Sequence, residues 1–237
     1  MIILPAIDIR DGKPVRLTKG DFATTEQVAD DALDTARAFE KDGATHLHMV
    51  DLDGALAGKP VNDAVVHKVA EGTGLFVEIG GGIRTEETID YYLNTVGASR
   101  VILGSVAIND PAFAKAMIEK YGAGIAIGID ARDGKASGGG WLDDSDVDFI
   151  ELASAMADAG AKTIIYTDIS RDGMLSGPDL FGLATLTAAV SAGIIASGGI
   201  AGIGDIKALA DIGVAGAICG KSIYKGTLSL TEALAFQ

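Results

Sequence analysis

Cysteine is almost absent. Cys219 is the only one, so no disulfide can form within the chain, which fits a reducing compartment. Basic charge is also scarce: 19 Lys and Arg stand against 33 Asp and Glu, a formal net charge of −14. That balance supplies no basic face for duplex nucleic acid, and an anionic membrane surface would repel the chain. A small anionic ligand remains allowed, because backbone N–H groups bind phosphate locally. No apolar run reaches the ~18 residues of a spanning helix. The opening MIILPAIDIRDGK has neither the basic start nor the long apolar stretch of a secretion signal. A cytoplasmic protein with no nucleic-acid and no membrane partner is expected.

Aromatics make up only 5% of the chain, with Trp141 the single tryptophan. Apolar residues reach 48% and charged ones 22%, enough for one sizeable core and incompatible with a disordered chain. Glycine is abundant: 32 of 237 residues, about twice the usual ~7%. The glycines are scattered, which points to many turns or to backbone approaching a ligand.

Eight short apolar runs recur: 2–7, 46–50, 75–79, 100–103, 124–129, 163–166, 193–196 and 216–219. Such runs suit parallel strands covered on their outer faces. Helical patterns lie between them. Ala32, Ala36 and Phe39 share a face before Gly43, Leu152, Met156 and Ala159 before Gly160, and Leu180, Leu183, Leu186 and Val190 before Gly193. Gly72, Gly97, Gly122 and Gly213 end other predicted helices, since glycine accepts the left-handed conformation there. Asp110-Pro111 reads as a cap and first helical residue. Eight such units predict an α/β fold, a closed (β/α)8 TIM barrel forming one domain over 1–237. The open doubly wound alternative lacks its G-x-G-x-x-G fingerprint after the first strand.

The halves repeat each other. IDIRDGK at 7–13 and IDARDGK at 129–135 agree at six of seven residues. Gly81-Gly82-Ile83 matches Gly198-Gly199-Ile200, Gly97 and Gly104 match Gly213 and Gly220, and Asp51-Leu52 matches Asp168-Ile169. Two half-barrels follow, approximately 1–122 and 123–237. Asp8 and Asp130 then end opposite strands on the C-terminal face, where barrel active sites lie. The competing role for each is a turn cap.

Glycine loops also come in pairs. Gly81-Gly82 and Gly104-Ser105 follow the third and fourth strands; Gly198-Gly199 and Gly220-Lys221-Ser222 follow the seventh and eighth. Backbone N–H groups freed by glycine cradle anions, and the last two loops are the usual phosphate position in barrels. Two sites across one mouth imply a small-molecule bisphosphate as substrate, and a monomer is the expected state. Gly20, Gly177, Arg16 and Arg84 are further candidate substrate contacts; individually, Arg16, Lys19 and Arg84 more often read as solvated loop charges. Trp141, in the loop SGGGW, is placed to stack on a ring. His46 and His48 share a strand face, but no third ligand accompanies them and His67 sits in a helical pattern, so no metal is predicted. His48 suits either a ligand contact or a core histidine. Thr167 and Asp168 suit either the mouth or a turn. Lys221 follows a glycine in a phosphate loop, which fits anion contact better than a Schiff base. Cys219 reads as a buried small hydrophobe.

LPAIDIRDGKPVRL, HLHMVDLDGA, IGGGIR, DISRDGMLSGP, ASGGI and GKSIYKG closely resemble the ProFAR isomerase family of histidine biosynthesis, from the first strand to the last helix. The resemblance implies a (β/α)8 barrel that converts an aminoaldose to an aminoketose by an Amadori rearrangement, without cofactor or metal. It makes Asp8 the general base and Asp130 the general acid, with His48, Thr167 and Asp172 near the reacting centre. Two related groups are the alternatives within this resemblance. The cyclase subunit of imidazole glycerol phosphate synthase opens with a CLDV-like strand and a lysine-bearing loop that this chain lacks. A dual-substrate isomerase, also acting on phosphoribosylanthranilate, carries Arg-Gly-Trp where this chain has Gly139-Gly140-Trp141. The absent arginine counts against that second activity. A non-catalytic bisphosphate-binding barrel is the alternative outside enzymes.

Overall fold

The computed structural model describes residues 1–138, 141 and 143–237. Gly139 and Gly140, on which the fifth-loop comparison rests, lie outside them. The strands are Ile2–Arg10 (β1), Lys13–Thr18 (β2), Asp21–Gln27 (β3), His46–Asp51 (β4), Phe76–Gly80 (β5), Arg100–Leu103 (β6), Ile125–Arg132 (β7), Lys135–Gly138 (β8), Asp143–Asp148 (β9), Thr163–Asp168 (β10), Gly193–Ser197 (β11) and Gly216–Cys219 (β12). Eight of them, β1, β4, β5, β6, β7, β10, β11 and β12, run parallel in that order, and β12 pairs back with β1 to close the barrel.

The closed ring explains why these strands are apolar almost throughout. Their outward residues Ile3, Ile7, Ile9, Met49, Ile79, Ile127 and Ile129 are fully buried under the helices. Their inward residues Leu4, Ala6, Ala126, Ile165, Ile195 and Ile218 fill part of the interior. Burial of each large aliphatic side chain contributes roughly 1.5–3 kcal/mol. The helix Ala32–Lys41 buries Ala32, Ala36 and Phe39 as expected, with Asp31 capping its start and Gly43 at φ +104° past its end. Asp110 caps Pro111–Tyr121 by accepting from the Phe113 N–H. Gly97 and Gly213, matched between the halves, both sit at φ +85°.

One expected helix stop holds for a different reason and one is corrected. Gly72 is the last residue of the helix Asp63–Gly72 and is not left-handed. Its reason is packing, since a Cβ there would sit 2.5 Å from Leu33 Cδ1. Gly193 opens β11 instead; the preceding helix, Leu180–Ala189, has already ended at extended Val190. Leu180 is exposed and does not share the buried face of Leu183 and Leu186.

The larger difference lies at the first and fifth strands, which run on past the barrel rim. Asp11-Gly12 and Asp133-Gly134 turn β1 into β2 and β7 into β8, with φ near +50° at both aspartates and +73° and +81° at the glycines. Positive φ at both central residues matches the twist of a two-residue hairpin. A second antiparallel strand follows in each half, β3 and β9. Among the described residues no helix is long and apolar enough to cross a membrane.

Candidate active site

The two hairpins stand over a cavity of about 240 Å³ at the C-terminal ends of the barrel strands. Alternation along each strand puts every second residue inside, and the uppermost inward positions line this cavity. They include Asp8 on β1, His48 on β4, Asp130 on β7 and Thr167 on β10. Neither aspartate caps a turn. Asp8 is paired within the sheet to Val15 and Val50, and Asp130 is paired to Thr167.

The two carboxylates have different surroundings. Arg16 Nη1 lies 2.9 Å from Asp8 Oδ2. Arg16 is on β2 and only 9% exposed, so it is no solvated loop charge. Its Nε and Nη1 are buried and make no aligned hydrogen bond among the described residues, so Nη1 meets Asp8 as a close ion pair. Gly220 makes room for this guanidinium, since a Cβ there would fall 2.1 Å from Arg16 Nη2. Asp130 has no such cation in contact among the described residues. Burial pushes its carboxyl above the ordinary range, against the opposing pull of hydrogen bonds from Trp141 and Thr167 and of nearby His48. Trp141, at φ +73°, lays its ring on Gly20, where a Cβ would sit 2.3 Å from the ring.

Asp172 is a third carboxyl of the cavity. Burial raises its pKa to about 6, helped by Asp8 and Asp130 and opposed by Arg16 and Lys221. Its loop is clamped to the first hairpin. The Lys19 N–H donates to the Asp172 carbonyl at 3.1 Å, and a Cβ on Gly173 would lie 2.7 Å from the Leu17 carbonyl oxygen.

The glycine loops flank these groups. Gly81, Gly82, Gly104, Ser105 and the exposed Arg84 line one side of the cavity. Gly198, Gly199, Gly220 and Lys221 line a smaller adjoining recess that shares Arg16, Asp172 and Ser197. Lys221 Nζ donates to Thr18 Oγ1 at 3.0 Å. Gly81-Gly82 and Gly198-Gly199 are all left-handed, and Cβ atoms on Gly81 and Gly198 would strike the carbonyls of the matched Asp51 and Asp168. Gly177 lines neither space. Its N–H donates to the Gly199 carbonyl at 2.9 Å and so props that loop. His46 stacks on Phe76, ring centroids 4.9 Å apart, below the cavity.

Sequence reasoning missed four groups. Phe22 reaches the cavity from β3, and Ser197 does so from the last inward position of β11. Glu78 and Arg100 lie deeper inside. Glu78 is fully buried; its Oε1 is 2.6 Å from His48 Nδ1 and its Oε2 accepts from Arg100 Nε at 2.9 Å. The available signal was an ionisable residue in the middle of the apolar run FVEIG.

Such a site can accept a proton at one carboxyl and deliver one from another, on a ligand held at both ends by backbone N–H groups. Known proteins share this chain along nearly its full length. A protein of Clostridium beijerinckii is 52% identical over 234 residues, covering 99% of this chain and 97% of the relative. One from Listeria monocytogenes serotype 4a is 48% identical over 232 residues, covering 98% and 96%. Both are named 1-(5-phosphoribosyl)-5-((5-phosphoribosylamino)methylideneamino) imidazole-4-carboxamide isomerase. The family described as histidine biosynthesis protein matches residues 2–229. With that match, the repeated half-barrels and the relatives' near-complete coverage, the chain belongs to the histidine biosynthesis protein family.

Proposed function

We propose that this chain is an aldose–ketose isomerase acting on the substrate named for its relatives, ProFAR, and yielding the aminoketose PRFAR. The observation that carries the reading is the pair Asp8 and Asp130, lining one cavity in opposite electrostatic settings, between matched glycine loops. The substrate is a bisphosphate, and its two ends fit the two loop pairs. Asp130, whose burial favours the protonated carboxyl, gives its proton to the ribose ring oxygen. The C1′–O bond breaks and a Schiff base forms at C1′. Asp8 then takes the C2′ proton, and the resulting enolamine becomes the ketone as C1′ gains a proton and the 2′-hydroxyl loses its own. Arg16 stays beside Asp8 as its buried ion-pair partner.

A second assignment of the acid has its own support. Asp172 faces the same cavity with a pKa of about 6, so it holds a proton to higher pH than an ordinary aspartate does. Comparing Asp130→Asn with Asp172→Asn in single-turnover ring opening separates the two. The acid is the position whose loss slows opening by about 100-fold or more.

Steady-state turnover of the purified protein on ProFAR, with phosphoribosylanthranilate in parallel, tests the activity. Conversion of ProFAR alone is expected. Conversion of both makes the enzyme dual-substrate, and conversion of neither by folded protein overturns the reading. Asp8→Asn is expected to lower kcat by about 100- to 10,000-fold while KM stays within about tenfold. Near-native turnover would remove Asp8 from the base role.

A further inference from the structure

Inside the first half of the barrel runs a chain of polar side chains that ends at the cavity. Arg100 opens β6 low in the barrel, where its Nη1 donates to Thr163 Oγ1 at 3.0 Å and its guanidinium lies over the Phe76 ring at 5.2 Å. Its Nε donates to Glu78 Oε2 at 2.9 Å. Glu78 Oε1 in turn lies 2.6 Å from His48 Nδ1. His48 lines the cavity with Asp130.

The barrel itself has no need of these charges. The positions matched to His48, Glu78 and Arg100 in the second half are Ile165, Ile195 and Gly216, and that half closes into the same barrel. A buried ion pair is commonly no more stabilising than apolar residues of similar volume. Something other than folding accounts for an ionised carboxylate at zero exposure. The hydrogen bonds and charges of His48 and Arg100 hold Glu78 below the ordinary carboxylate range, against its desolvation.

We propose that Glu78 is a positioning residue for His48. Resting on the isomerase reading above, the proposal makes Arg100 the anchor and His48 the group that meets the substrate. An ionised carboxylate only accepts, so the proton of the His48–Glu78 contact sits on Nδ1. Nε2 is the nitrogen left for the cavity. The ring is thereby fixed in one tautomer and one orientation, next to the carboxyl that handles the ring-opening proton. A carboxylate behind a histidine does the same in hydrolase triads, where the wrong tautomer is costly even though geometry is kept.

The test uses the full chain with 15N-labelled histidine. In Glu78→Gln the amide cannot accept at both of its ends, so the Nδ1–H tautomer loses the acceptor that enforces it. The ring 15N shifts of His48 are expected to move toward the other tautomer. Turnover on ProFAR is expected to show kcat lowered about 10- to 100-fold with KM within about threefold. In a His48→Ala background the same Glu78 change should leave kcat unaltered, which a merely structural role would not produce. The double change Glu78→Ile, Arg100→Leu removes both buried charges, guarding against a fold lost to an unpaired arginine. It is expected to fold and to show the same kcat loss. Unmoved His48 shifts in folded Glu78→Gln overturn the proposal, as does an equal kcat loss with and without His48. If the unaltered protein fails to convert ProFAR, the isomerase reading falls, and the 15N shifts alone decide whether Glu78 sets the tautomer.

Discussion

The two half-barrels share a backbone plan and diverge in what they place inside it. Both carry an inward aspartate on their first strand, a two-residue Asp-Gly hairpin above it, and a left-handed Gly-Gly pair after their third barrel strand. The first half then fills its interior with His48, Glu78 and Arg100, where the second uses Ile165, Ile195 and Gly216. The first half has Ala55 at the mouth, where the second has Asp172. Features that repeat build the mouth and its glycine loops. Features that differ are the ones that can distinguish the two ends of a substrate, because a mouth of full twofold symmetry would treat them alike. An acid and a base must act at different atoms, so the proposed reaction needs the asymmetry as much as the repeat.

The glycine pairs are the strongest place to break the comparison. A Cβ on Gly81 would lie 2.1 Å from the Asp51 carbonyl oxygen, with φ at +109°. On Gly198 it would lie 2.8 Å from the matched Asp168 oxygen, with φ at +90°. Backbone cannot retreat as a flexible side chain does. Gly81→Ala is expected to cost about 3–5 kcal/mol, combining overpacking and left-handed strain, and Gly198→Ala about 2–3 kcal/mol. Urea midpoints at unchanged slope give the difference. Equal losses would mean that the two loops are equally tight and that the closer approach in the first half carries no energy.

The eight barrel strands were legible because a parallel strand buried on both faces is an apolar run, and each run had little competing pattern. The facing aspartates and glycine loops were legible because they occur twice in register. The hairpins were missed although their signal was present. Asp-Gly at 11–12 and 133–134 is a turn sequence, but DFATTEQ and DDSDVD, the outer strands that come after it, are mostly polar in sequence, so no hydrophobic alternation marks them. Arg16 was therefore placed in a loop, when it sits on a strand folded back over Asp8. Glu78 was missed for a different reason. Its partners lie 22 and 30 residues away in sequence, and only strand register brings them together.

Asp172 sharpens the comparison through pH. Its folded pKa of about 6 exceeds the ~3.9 of an unfolded aspartate. The folded state therefore holds the proton more tightly, and stability falls as pH rises from about 4 to about 6. Above that window the ionised, buried carboxylate costs roughly 2–3 kcal/mol relative to its protonated form. Asp172→Ala makes the mouth residue the same as Ala55 in the first half. It is expected to flatten this part of the stability profile, so that the variant gains on the parent between pH 4 and pH 7. Urea unfolding across that range checks it. A variant that instead loses stability steadily as pH rises would show that Asp172 acts chiefly as the partner of Arg16 and Lys221.

The smallest effect expected is also the most symmetric. Gly12 and Gly134 occupy the same place in the two hairpin turns, at φ +73° and +81°, and a Cβ on either meets nothing within 4 Å. Alanine at each position therefore pays only for the left-handed backbone, about 1–2 kcal/mol, with no packing cost. Gly12→Ala and Gly134→Ala should match each other within about 0.5 kcal/mol, and the double variant should lose the sum, since the sites share no partner. Unequal losses would point to the tie of the first turn into its half, where the Asp11 N–H donates to Asp53 and the Gly12 N–H to Asn62. Gly12→Ala would then disturb Asn62, whose side chain donates to the fully buried Asp51. In that case the first turn is coupled to Asp51, whose backbone Gly81 packs against, and the hairpin repeats in shape while differing in what it holds.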